Sequence, residues 1–169
     1  MNGISGPRRT ASPIRLSLNP VLGGDIDGAW WPHTGSLATE LPDLIDALHP
    51  PLGEILDINL NWSATAATPI LDSHYSGAMR NMRWNDVRQR IMVVVGRDDC
   101  ARLMVIPHTT THTLGRMVLR QAAAMPDYAD DRNGAAYAVA SLVVRAARTQ
   151  SAASDTRTLA SPVAKAAEH

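Results

Sequence analysis

The chain of 169 residues contains no phenylalanine, one cysteine and one lysine. Without phenylalanine, the large aromatic surface comes from four tryptophans and three tyrosines, so each indole carries an outsized share of what can be buried. A lone Cys100 excludes an internal disulfide framework and fits a reducing compartment. Neither sign of charge is in excess: sixteen basic residues face sixteen acidic ones. That balance excludes the global field that draws a chain to nucleic acid or anionic lipid. Lys165 is the one lysine among the basic residues; with the abundant alanine this reads as the coding bias of a GC-rich genome, not as arginine-mediated recognition. Long apolar runs are missing too. The longest strongly apolar one, Ile91 to Val95, is far too short to span a bilayer. Residues 1–16 hold Pro7, Arg8, Arg9 and Pro13 without the apolar stretch of a secretory signal. The sequence therefore predicts a cytoplasmic protein with no membrane partner.

This length suits one domain plus tails. Residues 1–11 are predicted to form a disordered arm and residues 149–169, rich in Ser, Ala and Thr, a disordered tail, which leaves 12–148 as a single domain. Ile14, Leu16 and Leu18 alternate with Arg15 and Ser17, predicting a short strand over 13–18. A helix follows, with Ser36 as its cap and Leu37, Leu41, Leu44, Ile45 and Leu48 on one face. Pro42 either kinks it or begins it, and His49-Pro50-Pro51 stops it. Residues 55–62 predict a strand with Leu56, Ile58, Leu60 and Trp62 on one side and Asp57, Asn59 and Asn61 on the other.

Weaker strand signals occupy 70–75 and 80–86. Ile91–Val95 and Leu103–Ile106 predict a hairpin joined by Gly96 to Cys100, and its apolar runs belong at the buried centre of a sheet. Two helices close the domain. One, over about 111–124, turns Leu114, Met117, Val118 and Met125 inward; the other, over about 135–148, does so with Val139, Leu142, Val143 and Ala146. Strands in the middle with helices early and late predict an α+β fold, a mostly antiparallel sheet with one early helix and two C-terminal helices.

Asp27-Gly28-Ala29-Trp30-Trp31-Pro32 is the densest signal in the chain. Each indole carries apolar area that wants burial and an N–H that wants an acceptor, so the segment anchors a core or lines a pocket. Neighbours in extended backbone point to opposite faces, and Pro32 biases Trp31 towards extended geometry. This hexapeptide is followed by Glu40-Leu41-Pro42 with Leu44 and Leu48, and by a strand closing on Asn61-Trp62. Next come the paired segments 91–95 and 103–107 and a helix-like stretch after Pro107. Over residues 12–125 the pattern resembles a family of small actinobacterial proteins of unknown function. The resemblance implies a fold plan and no activity. His108-Thr-Thr-Thr-His112 departs from the proline and acidic residues usual there, so the family lends those histidines no meaning.

Other constellations are weaker. His108 and His112 stand four apart and can share a helix face, but no spacing ties Asp98, Asp99, Cys100 or His33 to them as a third ligand. No metal and no cofactor is expected. Cys100 lies between Arg97 and Arg102, which favour a thiolate, and beside Asp98 and Asp99, which oppose it. No Gly-x-Ser-x-Gly elbow or phosphate-cradling glycine loop occurs. Arg80, Arg83, Arg88 and Arg90 flank Trp84, a thin platform for single-stranded nucleic acid with Asp86 close by. Asp127, Asp130 and Asp131 lack the frame of a calcium loop.

The leading functional expectation is a non-catalytic module that binds a small molecule or a protein through a face made by Asp27, Trp30, Trp31 and Trp62. The alternatives are an enzyme with Asp27 as general base beside the same pocket, and an arginine-mediated nucleic-acid binder.

Overall fold

The computed structural model describes residues 13–62, 88–126, 132 and 134–165, with 156–165 as backbone alone. The arm over 1–11, the strand candidates at 70–75 and 80–86, Arg80, Arg83, Trp84, and Asp127, Asp130 and Asp131 lie outside the described residues.

Alternation along three strands creates two cores. Strand β1 is Leu16–Leu18 and β2 is Gly28–Trp30; β3 is Ile55–Leu60, β4 is Ile91–Gly96 and β5 is Cys100–Val105. β5 sends Ala101, Leu103 and Val105 to one face of the sheet, while Met104 and the following Ile106 go to the other. β4 divides in the same way, with Met92 and Val94 on the first face and Ile91 on the second. The five strands are ordered β1-β2-β5-β4-β3. Every neighbouring pair is antiparallel except β2 with β5, which runs parallel from Gly28↔Leu103 to Trp30↔Val105. The fold is therefore α+β with a mostly antiparallel sheet, and the β4–β5 hairpin lies inside it as its apolar runs require.

Helix α1, Leu37–Leu52, covers the first face with Leu44, Leu48 and Leu52, three residues spaced by four along one stripe. Pro42, Pro50 and Pro51 all sit inside it, so Pro42 does not begin the helix and the Pro50-Pro51 pair does not stop it. The helix ends one residue later, where the Gly53 N–H donates to the His49 carbonyl at 2.8 Å. The Leu52 carbonyl accepts from the Asp98 N–H at 2.9 Å, which ties the end of α1 to the hairpin turn. That turn is Arg97-Asp98-Asp99, and Cys100 belongs to β5, paired with Val95. In β3 a bulge between Ile55 and Asp57 interrupts the alternation. Ile58 still packs on the first face, but Leu56, expected beside it, is exposed.

Helices α2, His112–Ala122, and α3, Ala135–Lys165, cover the second face. α2 contributes Leu114, Val118 and Ala122, and α3 contributes Ala140, Val143, Val144 and Ala147. That α3 stripe leaves Leu142 facing outward, and Met125 beyond the end of α2 is also exposed, both against expectation. α3 continues well past 148. Ser151 is buried and the Asp155 carboxylate pairs with the Arg102 guanidinium, so the segment expected to be a free tail packs on the sheet at least as far as Asp155. Among the described residues no helix is long and apolar enough to cross a membrane.

Candidate functional site

The Asp27–Pro32 hexapeptide supplies β2 and the residues on either side of it. Asp27 is 2% exposed. Its Oδ1 accepts from the Gly23 N–H at 2.9 Å and the Gly24 N–H at 3.0 Å, and its Oδ2 accepts from the Arg102 N–H at 2.8 Å. The Asp27 N–H donates to the Arg102 carbonyl at 2.8 Å. The carboxylate thus closes the 23–27 loop and clamps the start of β2 to β5. A general base needs an oxygen within reach of a substrate proton; both oxygens here are held by amides, and Asp27 lines none of the three concavities described below. Gly28 is required by packing, since a Cβ there would fall 1.9 Å from the Ser17 carbonyl oxygen on β1.

Trp30 and Trp31 part company across the sheet. Trp30 enters the core under α1 with Leu44, Leu48 and Leu103; Trp31 enters the other core with Leu114, Val118 and Val144. Trp62 is half-buried and packs on the Trp30 side, with the Arg90 guanidinium 5.3 Å from its ring centroid. The expected single face of Asp27, Trp30, Trp31 and Trp62 is therefore divided by the sheet, because the alternation that buries both neighbouring indoles also separates them.

Trp31 has the more unusual surroundings. The Arg15 guanidinium lies 3.6 Å from the ring centroid. Its Nε donates to the Trp31 carbonyl at 3.0 Å and its Nη2 to the Pro32 carbonyl at 2.7 Å. Burial holds the Arg15 guanidinium below its usual range, opposed by the nearby charge of Glu40. On α2, Gly115 makes room for the ring, since a Cβ there would come within 2.5 Å of the indole edge. The His112 ring lies 6.2 Å away at 48°. Although Trp31 is 2% exposed, its buried Nε1 has no hydrogen-bond partner among the described residues.

Three concavities are relevant. One of about 320 Å³ is lined by Trp31, Ile14, Leu16, Leu119 and Met125, with Arg15, His112, Arg116, Arg120 and Ser17 around them. A second, of about 30 Å³, holds Trp62, Arg90 and His108 among its walls, which is room for about one water. The third, of about 150 Å³, lies where Ile91, Val93 and Asn59 of the sheet meet Ser151 and Asp155 of α3. His108 and His112 line different concavities and do not act as a pair. Among the described residues no group of three metal-ligating side chains occurs. Cys100 is half-buried, its N–H donating to Asp99 Oδ1. Arg88 is exposed, and of the two described members of that arginine run Arg90 meets an indole, that of Trp62.

Arg15, Arg116 and Arg120 are not among the candidate site residues that the sequence pattern singles out. The signal was present: His112, Arg116 and Arg120 recur every four residues, the spacing that places side chains on one helix face. Arg15 sits in the alternating run read as β1, but only the β1–β2 pairing of Leu16 with Trp30 shows that it reaches the second indole.

No curated protein and no solved structure matches the chain. Residues 15–122, from Arg15 to the last residue of α2, match a family model described as a family of unknown function, DUF5994, and the chain belongs to that family.

Proposed function

We propose that this protein is a non-catalytic small-ligand-binding module whose site is the concavity over Trp31. One observation carries the reading: a nearly fully buried indole, gripped by Arg15 and given space by Gly115, forms part of the wall of an open concavity of about 320 Å³. That size falls within the range of about 300–1,000 Å³ typical of small-molecule sites, and so does the combination of an apolar lining with a few polar groups. Among the described residues, the other two concavities above are about 150 and 30 Å³. The enzyme reading loses its base, since the Asp27 oxygens hold the loop and the strand.

The test is a fragment library screened by NMR on isotopically labelled protein. Binding at this site moves the backbone amides of Ser17, Leu119 and Arg120 together. Hits that instead move Ser151 and Asp155, or the surroundings of Trp62, contradict the reading, as does a library with no hit.

A further inference from the structure

Resting on that reading, we infer that the ligand is an organic anion: a carboxylate or phosphate head on an apolar body.

Among the described residues that line the concavity, charge is one-sided. Arg15, Arg116 and Arg120, whose Nη2 donates to the Pro126 carbonyl, contribute guanidinium groups and His112 an imidazole, and none of these described lining residues is a carboxylate. Three of the four come from one face of α2 at four-residue spacing, and Arg15 reaches in from beside β1. The acid that acts on Arg15 is Glu40, whose Oε1 is engaged with the Thr34 N–H at 2.9 Å. Arg116 is exposed, and among the described residues it has no ion-pair partner. A planar guanidinium on a rigid helix suits bidentate recognition of a carboxylate or phosphate.

The rest of the lining sets the body. Ile14, Leu16, Leu119, Met125 and the Trp31 indole offer apolar surface, and about 320 Å³ is far more than an inorganic oxyanion fills. The Trp31 N–H is buried with no acceptor among the described residues, so its resonance reports on the ring that forms part of the wall. Head and body thus find separate partners, the cationic side chains for the head and the apolar ones for the body.

The experiment titrates the full chain with phenylacetate, phenyl phosphate, the neutral phenylacetamide and inorganic phosphate, following the indole N–H resonance of Trp31. At least one organic anion is expected to move that resonance and to bind about tenfold tighter than phenylacetamide, the scale of one charge-assisted contact. The tighter of the two anions identifies the head group. Arg116→Gln is expected to lower the anion's affinity about tenfold and to leave phenylacetamide and the melting temperature unchanged.

Phenylacetamide binding as tightly as the anions overturns the inference while leaving the site intact. Inorganic phosphate binding as tightly as phenyl phosphate overturns the amphipathic class. No response to either organic anion also overturns it, and the neutral hits of the fragment screen then show whether the site itself stands.

Discussion

The Arg15 guanidinium is stacked 3.6 Å from the centroid of the Trp31 indole and donates to the Trp31 and Pro32 carbonyls on the same segment. One side chain therefore holds both the ring and the backbone that carries it. Replacing Arg15 with methionine keeps an apolar stem over the ring but loses the charge and two hydrogen bonds. The expected cost is about 1–3 kcal/mol. Arg15→Lys recovers only part of it, because an ammonium lacks the planar face that lies on the ring while its edge donates to two carbonyls. Urea unfolding at constant m measures both variants.

Gly115→Ala separates packing from helix propensity. Alanine stabilises an ordinary helix interior by about 1 kcal/mol over glycine. Here its Cβ would lie within 2.5 Å of the Trp31 ring, so a net loss of about 1–3 kcal/mol from overpacking is expected. Thermal unfolding gives the sign directly.

Asp27→Asn tests whether this carboxylate is a clamp. All three of its partners are backbone N–H donors, and an amide must present an NH₂ group to at least one of them. Loss of that buried charged acceptor is expected to cost about 2–3 kcal/mol. Chemical denaturation measures the cost, and a loss below about 0.5 kcal/mol, the ordinary range for a surface change, counts against the clamp.

Ending the chain at Gln150 removes buried Ser151 and the Asp155 partner of Arg102. The pair is partly solvated and worth less than about 1 kcal/mol by itself, but the helix turns beyond it go as well. A melting temperature lower by several degrees is expected, whereas a free tail from 149 predicts no change.

Much of the fold was legible because burial writes a period into sequence. The apolar runs Ile91–Val95 and Leu103–Ile106 and the four-residue stripe of Leu44 and Leu48 locate the hairpin and α1 without tertiary information. The errors have local causes. Pro50 and Pro51 look like a stop, yet they occupy the last turn of α1 and the helix ends at Gly53. Leu56 follows the strand pattern, but the bulge turns it out. α3 outruns its apolar stripe because small and polar residues, Ser151 and Asp155, meet the sheet there. The site was less legible. Trp31 stands out by type, whereas Arg15, Arg116 and Arg120 come from β1 and α2, distant in sequence, and only the folded sheet brings them round one ring.

The most direct test of the account follows the four tryptophan indole N–H resonances while the ligand identified by screening is added. Trp31 is expected to shift with saturation, and Trp30, sealed under α1, and Trp62, on the opposite side of the sheet, are expected to stay in place. A shift of Trp30 or Trp62 with Trp31 unmoved contradicts the claim that the Trp31 concavity is the binding site.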